Sequence, residues 1–158
     1  MTGKGTANKW GLTFHHLGLA VKEPQPAVAF LTGLGYEEGR TVFDPLQNVN
    51  LAMLTHRAMP DVEIIFPAGS AGPLDDLLSH HKAGLVYHVC YTSDDLDASL
   101  AAIEADGRLR LFEVSSPKPA VLFDGKPVSF YVVGGFGLIE IIDESQTPHP
   151  AGSPSDAA

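Results

Sequence analysis

Apolar residues recur along the chain with two different periods. Short runs that alternate apolar and polar, or form apolar blocks bounded by Gly, Pro, Asn or Asp, fall at residues 14–21, 49–56, 62–66, 86–91, 109–114, 120–123, 128–133 and 138–142. These runs predict β-strands. Two other stretches have helical spacing. Residues 26–34 open on Pro26, whose fixed φ suits a first helical turn, and stop near Gly35. Residues 94–105 place Leu96, Leu100 and Ile103 at i, i+4 and i+7, behind Ser93 and Asp94 as capping residues, and stop at Gly107. Residues 73–79 predict one extra short helix.

The pattern occurs twice. His16 lies in the first strand of one half and His88 in the first strand of the other; Gly35 follows His16 by 19 residues, and Gly107 follows His88 by 19. Each half closes on a strand containing Glu-Ile-Ile, at Glu63 and at Glu140, 47 and 52 residues after its histidine. A duplicated βαβββ unit accounts for this spacing. The fold class expected is α+β, with modules at 12–70 and 85–143 and a linker at 71–84. Residues 1–11 read as a flexible lead-in, and the Ser/Pro/Gly/Ala-rich stretch 144–158 as disordered.

Strand alternation assigns faces. His16 shares a face with Gly18 and Ala20, opposite Leu17, Leu19 and Val21. His88 shares a face with Cys90 and Thr92, opposite Tyr87, Val89 and Tyr91. In both halves the bulky face suits a covering helix, and the histidine face leaves room for a cavity. By the same rule His15 points away from the site. Glu63 and Glu140 sit inside apolar strands, where an isolated carboxylate is costly to bury. A cation shared with His16 and His88 offsets that cost. Singly, each residue reads as an ordinary strand residue; the recurrence of a His and a Glu at equivalent places in two copies is what marks a site. Two imidazoles and two carboxylates suit one divalent ion such as Zn, Ni, Co, Mn or Fe.

Composition narrows the picture. Lys and Arg number 10 against 19 Asp and Glu, a formal net charge of −9. So acidic a chain is poorly suited to nucleic acid or an anionic membrane surface. Gly (16) and Pro (12) fit many strands and turns better than a helix bundle. The single cysteine, Cys90, rules out an internal disulfide and points to a reducing compartment, the cytoplasm. Cys90 has no base beside it and reads as packing. His80 and His81 read as solvated linker residues. Gly134-Gly135-Phe136-Gly137 has no following helix and reads as a hairpin turn.

The segments HHLGLAV (15–21), VEIIFPAG (62–69), GLVYHVCYTSDDLDA (84–98) and GLIEIID (137–143) resemble the vicinal oxygen chelate superfamily, and within it the methylmalonyl-CoA epimerase family most. The resemblance implies a half-open, cupped β-sheet around a metal held by His16, Glu63, His88 and Glu140; the chemistry of these residues suits a one-base mechanism in which the catalytic carboxylate, Glu140 or Glu63, leaves the metal and returns. The resemblance implies proton abstraction next to a carbonyl, on a CoA or carrier-protein thioester, in a homodimer. A glyoxalase-type lyase, an Fe(II) oxygenase and a metal-free antibiotic-type binding protein share the fold. Two positions depart from the epimerase pattern. Glu63 stands where Gln is usual, and Leu51 replaces a glutamate proposed to move a proton. Asp44, a turn residue ahead of Pro45, is the nearby alternative acid. Asp44, Asn50, Arg57 and Lys126 are the candidate substrate contacts, with Arg57 facing an anionic group and Lys126, like Lys118, a phosphate.

Overall fold

A computed structural model describes residues 8–146. The first half contains strand β1 (Leu12–Ala20), helix α1 (Gln25–Gly33), strands β2 (Glu37–Glu38), β3 (Val42–Asp44), β4 (Val49–Thr55) and β5 (Asp61–Pro67). Helix α2 (Pro73–His80) links it to the second half. There, β6 (Leu85–Ser93) and α3 (Leu96–Ala105) precede β7 (Leu111–Pro119), β8 (Pro127–Val133) and β9 (Gly137–Asp143). All nine strands belong to one sheet in the order β2-β4-β5-β1-β6-β9-β8-β7, with β3 also pairing β4. β1 runs parallel to β5 and β6 parallel to β9, while β1 and β6 join the halves antiparallel. The order is symmetric about the β1–β6 seam. Together β2 and β3 hold the place in the first half that β7 holds in the second.

Each half buries its helix on the outer face. Leu31 of α1 packs with Leu54, Val62 and Ile64, and Leu96 and Ile103 of α3 pack with Tyr131, Ile139 and Ile141. The inner, concave face carries two smaller clusters, one around Leu51, Ile65, Leu74 and Leu78 and one around Cys90, Ala120, Val128 and Ile142. Burying a Leu or Ile side chain contributes roughly 1.5–3 kcal/mol, so these clusters hold the sheet's curvature. Among the described residues, no helix is long and apolar enough to cross a membrane.

Three local expectations change. Residues 120–123 form a 3-10 turn at Val121–Phe123 rather than a strand, ending at Asp124 with φ +55°. The cap of α3 is Asp95, which accepts the Ala98 N–H at 3.0 Å; Ser93 instead bonds Ser99 at 2.8 Å beneath the helix. At the chain ends, residues 8–11 form a turn whose Trp10 packs on the α3 cluster, and Glu144 accepts Lys126 Nζ at 2.7 Å. The rest of the expected lead-in, 1–7, and of the expected tail, 147–158, lies outside the described residues.

Candidate metal centre

The four strands at the middle of the sheet each deliver one side chain to the concave face. Gly18, two residues after His16, pairs with Glu63; Cys90, two residues after His88, pairs with Glu140. Both halves therefore use the same register to set a carboxylate beside an imidazole. His16 Nε2 lies 3.7 Å from Glu63 Oε2 and 3.9 Å from Glu140 Oε1, and His88 Nε2 lies 3.8 Å from Glu140 Oε2. Donor atoms of His16, His88 and Glu140 all fall within 4.8 Å of one another. All four residues are at most 3% exposed. Phe123 stacks on His16, and Phe130 meets His88 edge-on, each with ring centroids 5.6 Å apart.

Burial sets the electrostatics. It pushes His16 down to about 3, with His88 and His15 adding to the shift, and His88 down to about 4. Both imidazoles are neutral at pH 7 and offer lone pairs. Burial pushes Glu140 up to about 7, opposed by the nearby Cys90 thiol and assisted by Asp44. Glu63 is raised well above the usual carboxylate range by burial, then by the charges of Glu140 and Asp44. Cys90 is raised by burial, so it stays a neutral thiol, in keeping with a packing role. His16 Nε2, His88 Nε2 and Glu140 Oε1 are buried without a hydrogen-bond partner among the described residues. Orphaned acceptors of this kind cost about 1–3 kcal/mol each unless something else satisfies them. Inward-facing nitrogen and carboxylate donors fit a hard or borderline divalent cation.

Strand alternation misplaces two residues. The β1–β6 pairing slips between Phe14 and His16, and again between Gly18 and Leu19, so His15 and Tyr87 are extra residues in two β-bulges. His15 does not point away from the site: its Nδ1 stands 2.8 Å from Nδ1 of His16, positioning that ring. Tyr87 does not face α3 but packs on the concave side with Ala20, Leu51 and Ile65. Each bulged residue immediately precedes a histidine of the centre.

A small chamber of about 10 Å³ adjoins Glu63 and Glu140, room for one ion or water; Asp44, Gln47, Leu51 and Tyr87 also line it. It adjoins an apolar cavity of about 570 Å³ with Ser115 and Lys118 in its wall. Of the expected substrate contacts, Asn50, Arg57 and Lys126 reach neither space, Lys118 lines the cavity, and Asp44 lines the chamber. It is 1% exposed and also serves its turn, accepting Leu46 N–H at 2.9 Å and Gln47 N–H at 3.3 Å. Asn50 alternates away from Leu51 to the outer face, with its amide 3.5 Å from the Pro67 carbonyl. Arg57 is exposed in the turn after β4, and Lys126 is held by Glu144.

Residues 15–130 match the family described as the glyoxalase/bleomycin resistance protein/dioxygenase superfamily, a span that includes His16, Glu63 and His88. The ethylmalonyl-CoA/methylmalonyl-CoA epimerase of Cereibacter sphaeroides is 29% identical over 119 residues, 73% of this chain and 84% of that protein. The mitochondrial methylmalonyl-CoA epimerase of Bos taurus is 28% identical over 128 residues, 80% of this chain and 70% of that protein. Among solved structures, methylmalonyl-CoA epimerase from Mycobacterium tuberculosis superposes with a TM-score of 0.66 at 18% identity, covering 95% of this chain and 94% of that one. The Streptomyces coelicolor epimerase in complex with 2-nitronate-propionyl-CoA gives 0.64 at 21% identity, covering 85% and 99%. At these identities the structural likeness concerns the fold, which is the cupped, duplicated sheet described above. The chain belongs to the glyoxalase/bleomycin resistance protein/dioxygenase superfamily.

Proposed function

We propose that the chain is a divalent-metal-dependent epimerase that removes and returns a proton next to the carbonyl of an acyl-CoA or related thioester. The observation that carries this reading is the convergence of His16, Glu63, His88 and Glu140, one His and one Glu from each half, with buried donor atoms left without partners. These four side chains would hold the ion. Once bound, a divalent ion supplies Lewis acidity toward a substrate carbonyl oxygen.

The carboxylates do the proton work. Glu140 is the first candidate base and Glu63 the second, either one leaving the ion to take the proton and returning to it. The α-carbon's C–H bond breaks, its proton goes to the carboxylate, and the electron pair delocalises onto the carbonyl oxygen. Return of the proton to the opposite face of the carbon inverts it. Leu51 cannot take part, being buried among Ile65, Leu74 and Leu78, whereas Asp44 from the adjoining strand lines the same chamber and is the remaining acid at hand. The 570 Å³ cavity suits the acyl end and part of a pantetheine arm. Lys118 in its wall, rather than Lys126 or Arg57, is placed to meet phosphate. A carboxylate at Glu63 also favours a glyoxalase-type lyase as the second reading, since members with that activity often carry Glu there. A homodimer belongs to the same proposal.

Metal analysis combined with deuterium exchange at the α-carbon of acyl-CoA substrates tests the reading. The expected result is one divalent ion per chain and exchange that disappears in His16→Ala and His88→Ala. No bound metal, with unchanged behaviour in those variants, overturns the site. Metal without exchange, together with turnover of a hemithioacetal, transfers the protein to the lyase reading.

A further inference from the structure

Five residues line both the carboxylate chamber and the apolar cavity, and so form the neck between them: Gln47, Ile65, Tyr87, Val128 and Phe130. Ile65, Val128 and Phe130 have no polar atom in the side chain. Gln47 directs its amide N–H to Asp44 Oδ2 at 3.1 Å. Only Tyr87 of this set has an O–H to offer a ligand passing through the neck.

The bulge in β6 puts it there. Regular pairing would turn Tyr87 to the α3 face with Tyr91; the extra residue turns it inward, against Leu51 and Ile65, with its ring 4.6 Å from that of His88 and at 83° to it. The chamber side presents the carboxyl groups of Glu63, Glu140 and Asp44, and at the neck the polar hydrogens come from Tyr87 and from Gln47, which gives one of its own to Asp44. A tyrosine phenol keeps its proton at neutral pH, so Tyr87 acts as a donor rather than a base.

We propose that Tyr87 is a catalytic hydrogen-bond donor, its hydroxyl binding the oxygen of the substrate's carbonyl at the neck while the adjacent carbon is deprotonated. This rests on the proton-abstraction reading. As the C–H bond breaks and a carboxylate takes the proton, negative charge grows on the carbonyl oxygen. The phenol shares its proton with that oxygen and does not transfer it, so the step balances without a further reactant. A donor aimed at developing charge in a site closed to water accelerates the step more than it tightens substrate binding.

Tyr87→Phe in the metal-loaded protein is the test, because it keeps the ring packing and removes only the hydroxyl. The expected result is a kcat for α-deuterium exchange lower by roughly 100-fold, as for loss of one oxyanion donor, with KM, metal content and thermal midpoint close to wild type. A kcat within twofold of wild type overturns the assignment. So does a loss that tracks lower metal content, or a higher KM at unchanged kcat. A wild-type protein inert toward every thioester would instead remove the proton-abstraction reading, and Tyr87's role with it, a result distinct from equal activity in the two proteins.

Discussion

Gly18 shows how much of the centre depends on single positions. A Cβ built there would lie 2.1 to 2.5 Å from three atoms of the His88 ring. The ring is enclosed, so it can yield only by rotating, and rotation carries Nε2 away from Glu140. Gly18→Ala should therefore fold with a loss of about 1–3 kcal/mol, the usual cost of overpacking, and bind a divalent ion more than tenfold more weakly. Gly33 in α1 is the control, with nothing within 4 Å of an added Cβ. Gly33→Ala should leave metal binding unchanged and gain up to about 1 kcal/mol in helix propensity. Thermal unfolding with metal titration separates the two, and equal metal affinity in Gly18→Ala and wild type would refute the steric argument.

At the level of elements, the bulges decide which neighbours of the histidines join the centre. His15 holds Nδ1 of His16, and loss of such an outer contact typically lowers metal affinity 10–100-fold. His15→Ala is expected to show a fall of this size in a competition titration, with thermal stability nearly unchanged; unaltered affinity would mean that Phe123 stacking alone fixes the ring. What the sequence disclosed, and what it hid, follows from the same physics. That His16, Glu63, His88 and Glu140 meet on one face was legible because alternation and the His-to-Glu recurrence are properties of regular strands. His15 and Tyr87 were hidden because a bulge inserts one residue without any change in composition. Residues 120–123 read as a strand because they are apolar, but only Leu122 and Phe123 of the 3-10 turn cover the centre, while Val121 stays exposed. Asp44 is both the expected turn residue and a chamber wall, since β3 is only three residues long and its turn folds straight over the site. Asn50 reaches neither space because it alternates with Leu51, whose side chain lines the chamber.

On the scale of the whole molecule, the centre joins the two halves. His16 and Glu63 come from one, His88 and Glu140 from the other, and besides the β1–β6 seam the ion would be a direct tie between them. In the metal-free protein Glu140 titrates at about 7, raised from an ordinary value of 4.5. A raised carboxylate favours the fold below pH 4.5, and that contribution is lost as pH rises through 7. Binding a cation requires that same proton to leave, and Glu63, also raised, adds to the effect. The histidines, at about 3 and about 4, are already neutral and contribute no slope above pH 5. Metal affinity should therefore climb with pH between about 5 and 7, by up to roughly tenfold per unit for each proton released, and level off above 7 as far as Glu140 is concerned. Stabilisation follows the same curve. An ion at 100 times its Kd adds about 2.7 kcal/mol to the folded state, so the rise in thermal midpoint on adding a fixed concentration of Zn or Co should be clear at pH 7.5 and small at pH 5.5. In Glu140→Gln the carboxyl that must release the proton is gone, and the pH dependence should flatten along with the overall affinity. A midpoint shift equal at both pH values would show that the ion does not displace the protons of these carboxylates, and would place it elsewhere.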